Sequence, residues 1–288
     1  MSWFALSLGA AVTQAAQFAV VKARARAIPP LVIVVWTQAV AGAAWVVFFV
    51  LSGHPFVAPG PAWPAVAASA VLVTGMGGLL ARASARGDIS IVGPILALSP
   101  IFTVLPDFAL SGTLPSPLGG LGLALSVVGT VSLSRGGTVG GRLRALFARR
   151  DALDALGAAF LLGFLAAVDR WGALALGAPS YLVCSHGATA LLTFAIALVA
   201  TPRGLAASAS PASVLTVVTH GLLGVTGTGM QTSALTMAPA AYVNAIRRMS
   251  ALVAVLLGRA LFREPDLGRR LVAALLACAG AACLLLAR

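Results

Sequence analysis

Ten apolar stretches, each about as long as a membrane is thick, follow one another along the 288-residue chain with short loops between them. A helix needs roughly 20 apolar residues to cross the hydrocarbon core of a bilayer. The stretches cover residues 3–22, 31–51, 63–81, 89–110, 118–134, 153–173, 180–200, 212–233, 239–262 and 268–287. Because backbone polar groups inside a bilayer must bond to one another, the pattern predicts an all-α integral membrane protein with ten transmembrane helices.

The composition excludes most other classes of protein. Hydrophobic residues make up 60% of the chain and charged residues only 9%, which is too few to cover a soluble domain of this length. A formal net charge of +12 would suggest nucleic-acid binding in a soluble chain, but here the basic residues lie almost wholly between the apolar stretches. We therefore interpret them as topology signals, and we expect no nucleic-acid partner.

Basic residues concentrate in the loops that follow the odd-numbered stretches. They are Lys22, Arg24, Arg26, Arg82, Arg86, Arg135, Arg142, Arg144, Arg149, Arg150, Arg203, Arg263, Arg269 and Arg270. Cytoplasmic loops of membrane proteins carry an excess of lysine and arginine. The sequence thus predicts a multi-pass protein of the plasma (cytoplasmic) membrane, with these loops in the cytoplasm and both termini outside.

The chain divides at its longest loop into two halves of five stretches each. Residues 1–137 form the first half, 138–152 a basic linker loop and 153–288 the second half. Landmark prolines recur about 150 residues apart, at Pro115 and Pro265 and at Pro30 and Pro179. Five is an odd number of membrane crossings, so the two halves are predicted to have opposite orientations, as inverted repeats of secondary transporters do.

Three features together resemble the EamA family of the drug/metabolite transporter superfamily. They are AVVK at the end of the first stretch, a proline at the start of the second, and YVNAIRRMSALVAVLLGRALFREP before a glycine-bearing last helix. The resemblance covers nearly the whole chain and is strongest over residues 239–287. The first half departs from the family pattern, with Leu114 at the position that corresponds to Glu264, and Trp36 and Gln38 where many relatives carry an arginine. The resemblance implies that both halves are EamA-like repeats of a ten-helix carrier of small metabolites, often an exporter.

Two adjacent arginines, Arg247 and Arg248, lie inside the ninth stretch and share one helix face with Asn244. A charge at the centre of a membrane helix costs roughly 2.5–3.5 kcal/mol on insertion scales, so the pair should avoid lipid. One interpretation is a cationic lining that receives an anionic group in a central cavity, with Tyr242 nearby. The others are a structural ion pair with a neighbouring helix and arginines that reach toward the membrane surface.

Acids are rare in the apolar stretches, which singles out Asp169 and Asp107. One interpretation of Asp169 is functional: it is a partner of Arg248 or a protonatable group that couples transport to a proton. The other is a charge pair with Arg170 at the helix end, in the headgroup region. The sequence favours the headgroup pair. Asp107 is expected at the membrane surface, at the end of a fourth stretch that Pro94, Pro100 and Pro106 would kink.

Uncharged polar side chains mark the inner faces of several other predicted helices. The candidate residues among them are Gln17, Trp36, Gln38, His186 and Gln231. Each of these side chains is predicted either to bond to a neighbouring helix or to contact a solute, and a tryptophan would stack on a planar one. Together they indicate a polar interior.

The function predicted from these features is secondary active transport by alternating access around a midplane cavity. The substrate would be a small organic metabolite such as an amino acid or an organic anion, and export is the expected direction. The alternative is a membrane-embedded enzyme or a lipid-head-group protein that binds a phosphate through the arginines. Neither a nucleotide-binding loop nor a metal-ligand cluster nor a nucleophile with its base occurs in the sequence, so no cofactor or metal is expected.

Overall fold

The computed structural model describes residues 2–24, 28–53, 55–86, 95–96, 98–112, 114–132, 150–208, 210–250 and 253, with short pieces between 275 and 287. The basic linker up to residue 149 lies outside these ranges. So does the loop that holds Arg263, Glu264, Arg269 and Arg270.

Every regular element in the described part of the chain is helical, which confirms the all-α prediction there. The helices are α1 Trp3–Arg24, α2 Pro30–Ser52, α3 Trp63–Arg86, α4 Ser99–Ser111, α5 Pro117–Ser132, α6 Arg150–Leu176, α7 Ala178–Ala200, α8 Pro202–Ala207, α9 Pro211–Leu235 and α10 Ala240–Arg247. A short 3₁₀ turn, Gly60–Ala62, precedes α3.

Proline and glycine set the ends of several helices. Pro30 lies in the first turn of α2, where its missing N–H is not needed. The same helix ends at Gly53, which adopts a left-handed conformation with φ of 61° while its N–H bonds to the Phe49 carbonyl. Gly112 ends α4 in the same way, with φ of 68°. A left-handed glycine therefore ends each of these two helices.

Five described helices are long and apolar enough to cross a membrane. They correspond to the second, third, sixth, seventh and eighth predicted stretches, and their apolar segments are Leu31–Ser52, Gly60–Leu80, Ala152–Leu176, Ala178–Ala200 and Ser213–Leu235. The multi-pass prediction is thereby supported for these five helices. The full count of ten remains a prediction.

The helices pack in pairs that bring the two halves of the chain together. Helix α3 packs on α6, α1 on α9, α2 on α7, and α4 on both α6 and α10. Small residues allow the closest approaches: a methyl group at Gly163 would lie 2.7 Å from Phe102 Cβ, and one at Gly227 would lie 2.5 Å from Thr13 Oγ1. This is the packing expected in lipid, where van der Waals contact replaces the hydrophobic effect.

The ninth stretch differs from the continuous helix predicted over 239–262. Helix α10 ends at Arg247, and the Arg248 N–H donates to both the Asn244 and Ala245 carbonyls at 3.0 and 3.2 Å. The Met249 N–H then bonds three residues back to Ile246, at 3.0 Å. The arginines therefore lie at a tightened 3₁₀-like turn, a local geometry that in long helices often marks a hinge.

Candidate functional site

A cavity of about 180 Å³ lies between α1, α2, α3, α6, α7, α9 and α10. One part of its wall is polar and comes mainly from α6, α7, α9 and α10, together with Gln14, Gln38 and Ser69. The other part is apolar. It consists of Val73, Met76, Leu80, Leu96, Leu162 and Leu165. The cavity wall thus combines charged and hydrogen-bonding groups with hydrocarbon.

The arginine pair of the ninth stretch lines this cavity. Arg248 is only 7% exposed, and its Nη2 donates to Gln14 Oε1 at 3.4 Å. The Nε atoms of Arg247 and Arg248 are both buried without a hydrogen-bond partner among the described residues. Each guanidinium also carries N–H donors on Nη1 and Nη2, which are the groups that an acceptor in the cavity would contact.

Asp169 faces the same cavity from α6. Its Oδ1 accepts hydrogen bonds from Ser69 Oγ at 3.0 Å and from Tyr181 Oη at 2.6 Å. The carboxylate and the Arg247 guanidinium attract each other electrostatically. The expected pair between Asp169 and Arg170 in the headgroup region is therefore wrong, because the two side chains have different partners.

Gly172 determines where the Tyr181 ring lies. A methyl group at Gly172 would be 2.1 Å from Tyr181 Cε2, so the ring rests directly on the α6 backbone, one turn beyond Asp169. The absence of a side chain at this position lets the tyrosine hydroxyl reach the carboxylate.

Arg170 belongs to a second charged cluster, at the end of the bundle where α4 and α6 finish and α10 begins. Its Nη1 donates to Asp107 Oδ1 at 2.9 Å and to Ser111 Oγ at 2.6 Å. Asp107 Oδ2 accepts the Ala240 N–H at 2.8 Å, at the start of α10. Asp107 was expected at the membrane surface, but its side chain is only 3% exposed. The guanidinium and the helix N–H compensate its charge inside the protein.

His186 links three helices at the cavity wall. Its Nδ1 bonds to Gln38 Oε1 of α2, and its Nε2 lies 3.3 Å from Thr228 Oγ1 of α9. Both ring nitrogens therefore have partners inside the protein. Gln231, one turn further along α9, also lines the cavity and is buried.

Four of the predicted site residues do not line the cavity, and each bonds to another part of the fold instead. Asn244 Nδ2 donates to Thr103 Oγ1 at 2.8 Å, and Tyr242 Oη accepts the Ser116 N–H at 3.1 Å. Gln17 Nε2 donates to the His220 carbonyl at 3.1 Å, and the half-exposed Trp36 donates its Nε1–H to Ser208 Oγ at 2.9 Å. These side chains hold elements together.

The six other predicted residues, Arg247, Arg248, Asp169, Gln38, His186 and Gln231, meet in the cavity. The sequence analysis missed Ser69 and Tyr181, which hold the Asp169 carboxylate. One signal for Tyr181 was available, since the chain has only two tyrosines and a tyrosine within an apolar stretch needs a partner for its hydroxyl.

Residues 1–135 match the model of the EamA-like transporter family, a domain of the drug/metabolite transporter superfamily. The resemblance noted in the sequence is therefore confirmed over residues 1–135. Over residues 239–287, where the sequence resemblance is strongest, it stays a prediction. A solved crystal structure shares the fold, with a TM-score of 0.74 and 20% identity over 99% of this chain and 96% of its own. No curated protein matches the chain. Together, the family match and the five apolar helices identify a multi-pass membrane protein.

Proposed function

We propose that this protein is a secondary active transporter that moves small organic metabolites, such as amino acids or organic anions, out of the cell by alternating access. The observation that carries the proposal is the arginine pair. The buried Arg248 and its neighbour Arg247 line a cavity to which all five membrane-capable helices contribute. In a bilayer such groups are expected to face a substrate pathway or a partner rather than lipid.

The helix contacts support a two-fold relation between the proposed halves, residues 1–137 and 153–288. A two-fold relation between the halves would map each predicted stretch on the one five positions away, so the third stretch maps on the eighth and the sixth on the first. The contact between the third and sixth stretches should then have a counterpart between the eighth and first stretches. Both contacts occur, as α3 on α6 and α1 on α9. The contacts of α2 with α7 and of α4 with α10 exchange with themselves. Inverted halves of this kind place the binding site between them and move against each other during transport.

Asp169 is the residue that we propose for coupling to a proton. Its carboxylate lies in the cavity within electrostatic reach of Arg247, so protonation would change the charge that a substrate meets. The predicted orientation, with both termini outside the plasma membrane, decides which face of the protein meets the side from which protons enter the cell. Reporter fusions at Arg288 test that orientation, since activity of a cytoplasmic reporter there would contradict it.

Uptake and counterflow in proteoliposomes test the proposed transport. A panel of amino acids, organic anions and organic cations is offered to the full chain and to the Arg248→Ala variant. We expect at least one class of solute to move with the unaltered protein and to stop with the variant. Arg82→Gln is the matched control, because Arg82 is an exposed cation whose side chain is 56% accessible. If no solute moved and Arg248→Ala left cellular export unchanged, these results would contradict the proposal that the protein is a transporter with its site at Arg248.

A further inference from the structure

We infer that the substrate is an organic monoanion with a short apolar body, whose carboxylate binds at Arg248. This inference rests on the proposed transport function and narrows it to one class of solute. It depends on three features of the cavity, which are its charge balance, the partners of each charged group and the position of its apolar wall.

The charge balance of the cavity is positive. Among the described residues that line it, the charged side chains are Arg247, Arg248 and Asp169, which sum to one positive charge when His186 is neutral. A monoanion brings this sum to zero. A zwitterion leaves one positive charge without compensation, a cation raises the sum to two, and a dianion reverses its sign. Buried charges are stable only when they are paired, so neutrality favours the monoanion.

The three charged groups have different partners. Asp169 attracts Arg247 and accepts hydrogen bonds from Ser69 and Tyr181, so its carboxylate already has donors around it. Among the described residues, Arg248 contacts only the amide oxygen of Gln14, at 3.4 Å, and that oxygen also accepts from Ser250 Oγ at 3.2 Å. The remaining positive charge is therefore at Arg248. Its planar guanidinium presents paired donors that fit the two oxygens of a carboxylate.

The apolar wall determines the rest of the substrate. Leu80, Leu96 and Leu162 line the cavity with Val73, and they offer no hydrogen-bonding side chain to a polar solute. A solute anchored at Arg248 that extends to this wall needs a branched or straight hydrocarbon body. The cavity volume of about 180 Å³ limits that body to a few carbon atoms beyond the carboxylate.

Binding of four probes that share a branched isobutyl end, to the purified full chain in detergent, tests the inference. The probes are 4-methylpentanoate (monoanion), leucine (zwitterion), 3-methylbutylamine (cation) and 4-methylpentanamide (neutral), and inorganic phosphate serves as a dianion. We expect 4-methylpentanoate to bind at least about tenfold more tightly than each of the others. The amine and the amide lack the carboxylate, leucine adds an ammonium that leaves a positive charge uncompensated, and the phosphate dianion reverses the sign of the sum. Tighter binding of leucine, the amine or phosphate would overturn the monoanion assignment, and so would absence of binding by all probes.

Variants of Arg248 separate the loss of its charge from a general loss of structure. Arg248→Gln should weaken 4-methylpentanoate binding at least about tenfold, whereas Arg248→Lys keeps the charge and should bind with intermediate affinity. Arg82→Gln should leave the affinity within about twofold, since exposed charges contribute little. Equal affinities for the Gln and Lys variants would contradict the charge argument. Circular dichroism and gel filtration establish that each variant is folded.

Transport measured in parallel distinguishes failure of this inference from failure of the proposed function. If proteoliposomes move another class of solute while 4-methylpentanoate does not bind, the monoanion assignment fails and transport stands. If 4-methylpentanoate binds as expected but no solute moves, the anion site stands and the transport function fails.

Discussion

Arg170, whose side chain is 13% exposed, and the buried Arg248 both lie inside the helix bundle, but their surroundings differ. Arg170 donates to the Asp107 carboxylate at 2.9 Å, and the same carboxylate accepts the N–H at the start of α10. Among the described residues, Arg248 contacts the uncharged amide of Gln14, at 3.4 Å, in place of a carboxylate. The first arginine therefore belongs to a closed cluster, and the second to an open one.

The difference indicates which buried charges serve the fold and which serve function. Removing one partner of a compensated pair leaves an unpaired charge inside the protein, which is strongly destabilising. Removing an uncompensated charge relieves a cost that the folded state already carries, so its retention needs another reason. Binding of an anionic substrate supplies that reason for Arg248.

The largest effect is expected at the closed cluster. Asp107→Asn should lower the free energy of unfolding by about 3–5 kcal/mol, because it removes the carboxylate that pairs with the Arg170 guanidinium at 2.9 Å. Titration with SDS in mixed micelles measures this quantity. In a cycle of Asp107→Leu, Arg170→Met and their double variant, the loss in the double variant should be much smaller than the sum of the two single losses. Additive losses would show that the two groups do not act as a pair.

The second prediction concerns the open cluster and has the opposite sign for stability. Arg248→Gln should leave the free energy of unfolding unchanged or raised, while it reduces the uptake rate in proteoliposomes at least about tenfold. The same SDS titration and a transport assay measure the two effects on one preparation. A stability loss comparable to that of Asp107→Asn would mean that a partner also balances the charge of Arg248. The two arginines would then not differ in the way proposed.

A third prediction tests the donors that hold Asp169. Tyr181→Phe removes the 2.6 Å hydrogen bond to Oδ1 and keeps the ring that rests on Gly172. The free energy of unfolding should fall by about 1–3 kcal/mol, the usual cost of losing a hydrogen bond to a buried charged group. The double variant with Ser69→Ala tests whether the two hydrogen bonds to Asp169 are coupled. If the two losses of unfolding free energy simply add, the two donors do not act on the carboxylate as a unit.

The smallest effect is expected at the exposed end of α3. Arg82 lies 3.5 Å from Asp154, and its side chain is 56% exposed. Arg82→Gln should change the free energy of unfolding by less than about 1 kcal/mol, and the change should shrink further at high salt. An effect as large as that of Asp107→Asn would show that exposure does not separate the two pairs.

The sequence predicts site residues where a polar side chain interrupts an apolar stretch. Arg247, Arg248 and His186 were found in this way, and they do meet in the cavity. Asn244, Tyr242, Gln17 and Trp36 have the same signature, yet they bond to partners 126–203 residues away in the chain. A polar residue looks the same in sequence whether a distant helix or a solute satisfies it.

Sequence alone determined that this chain is a multi-pass helical protein, because the length and frequency of its apolar stretches leave lipid as the only solvent that suits them. It also determined that the arginines of the ninth stretch must be kept from that lipid. Which group each arginine contacts depends on how the helices pack, and the sequence does not show it. Asp169 and Arg170 are neighbours in the chain, but successive helix positions point in different directions, so one faces the cavity and the other meets Asp107.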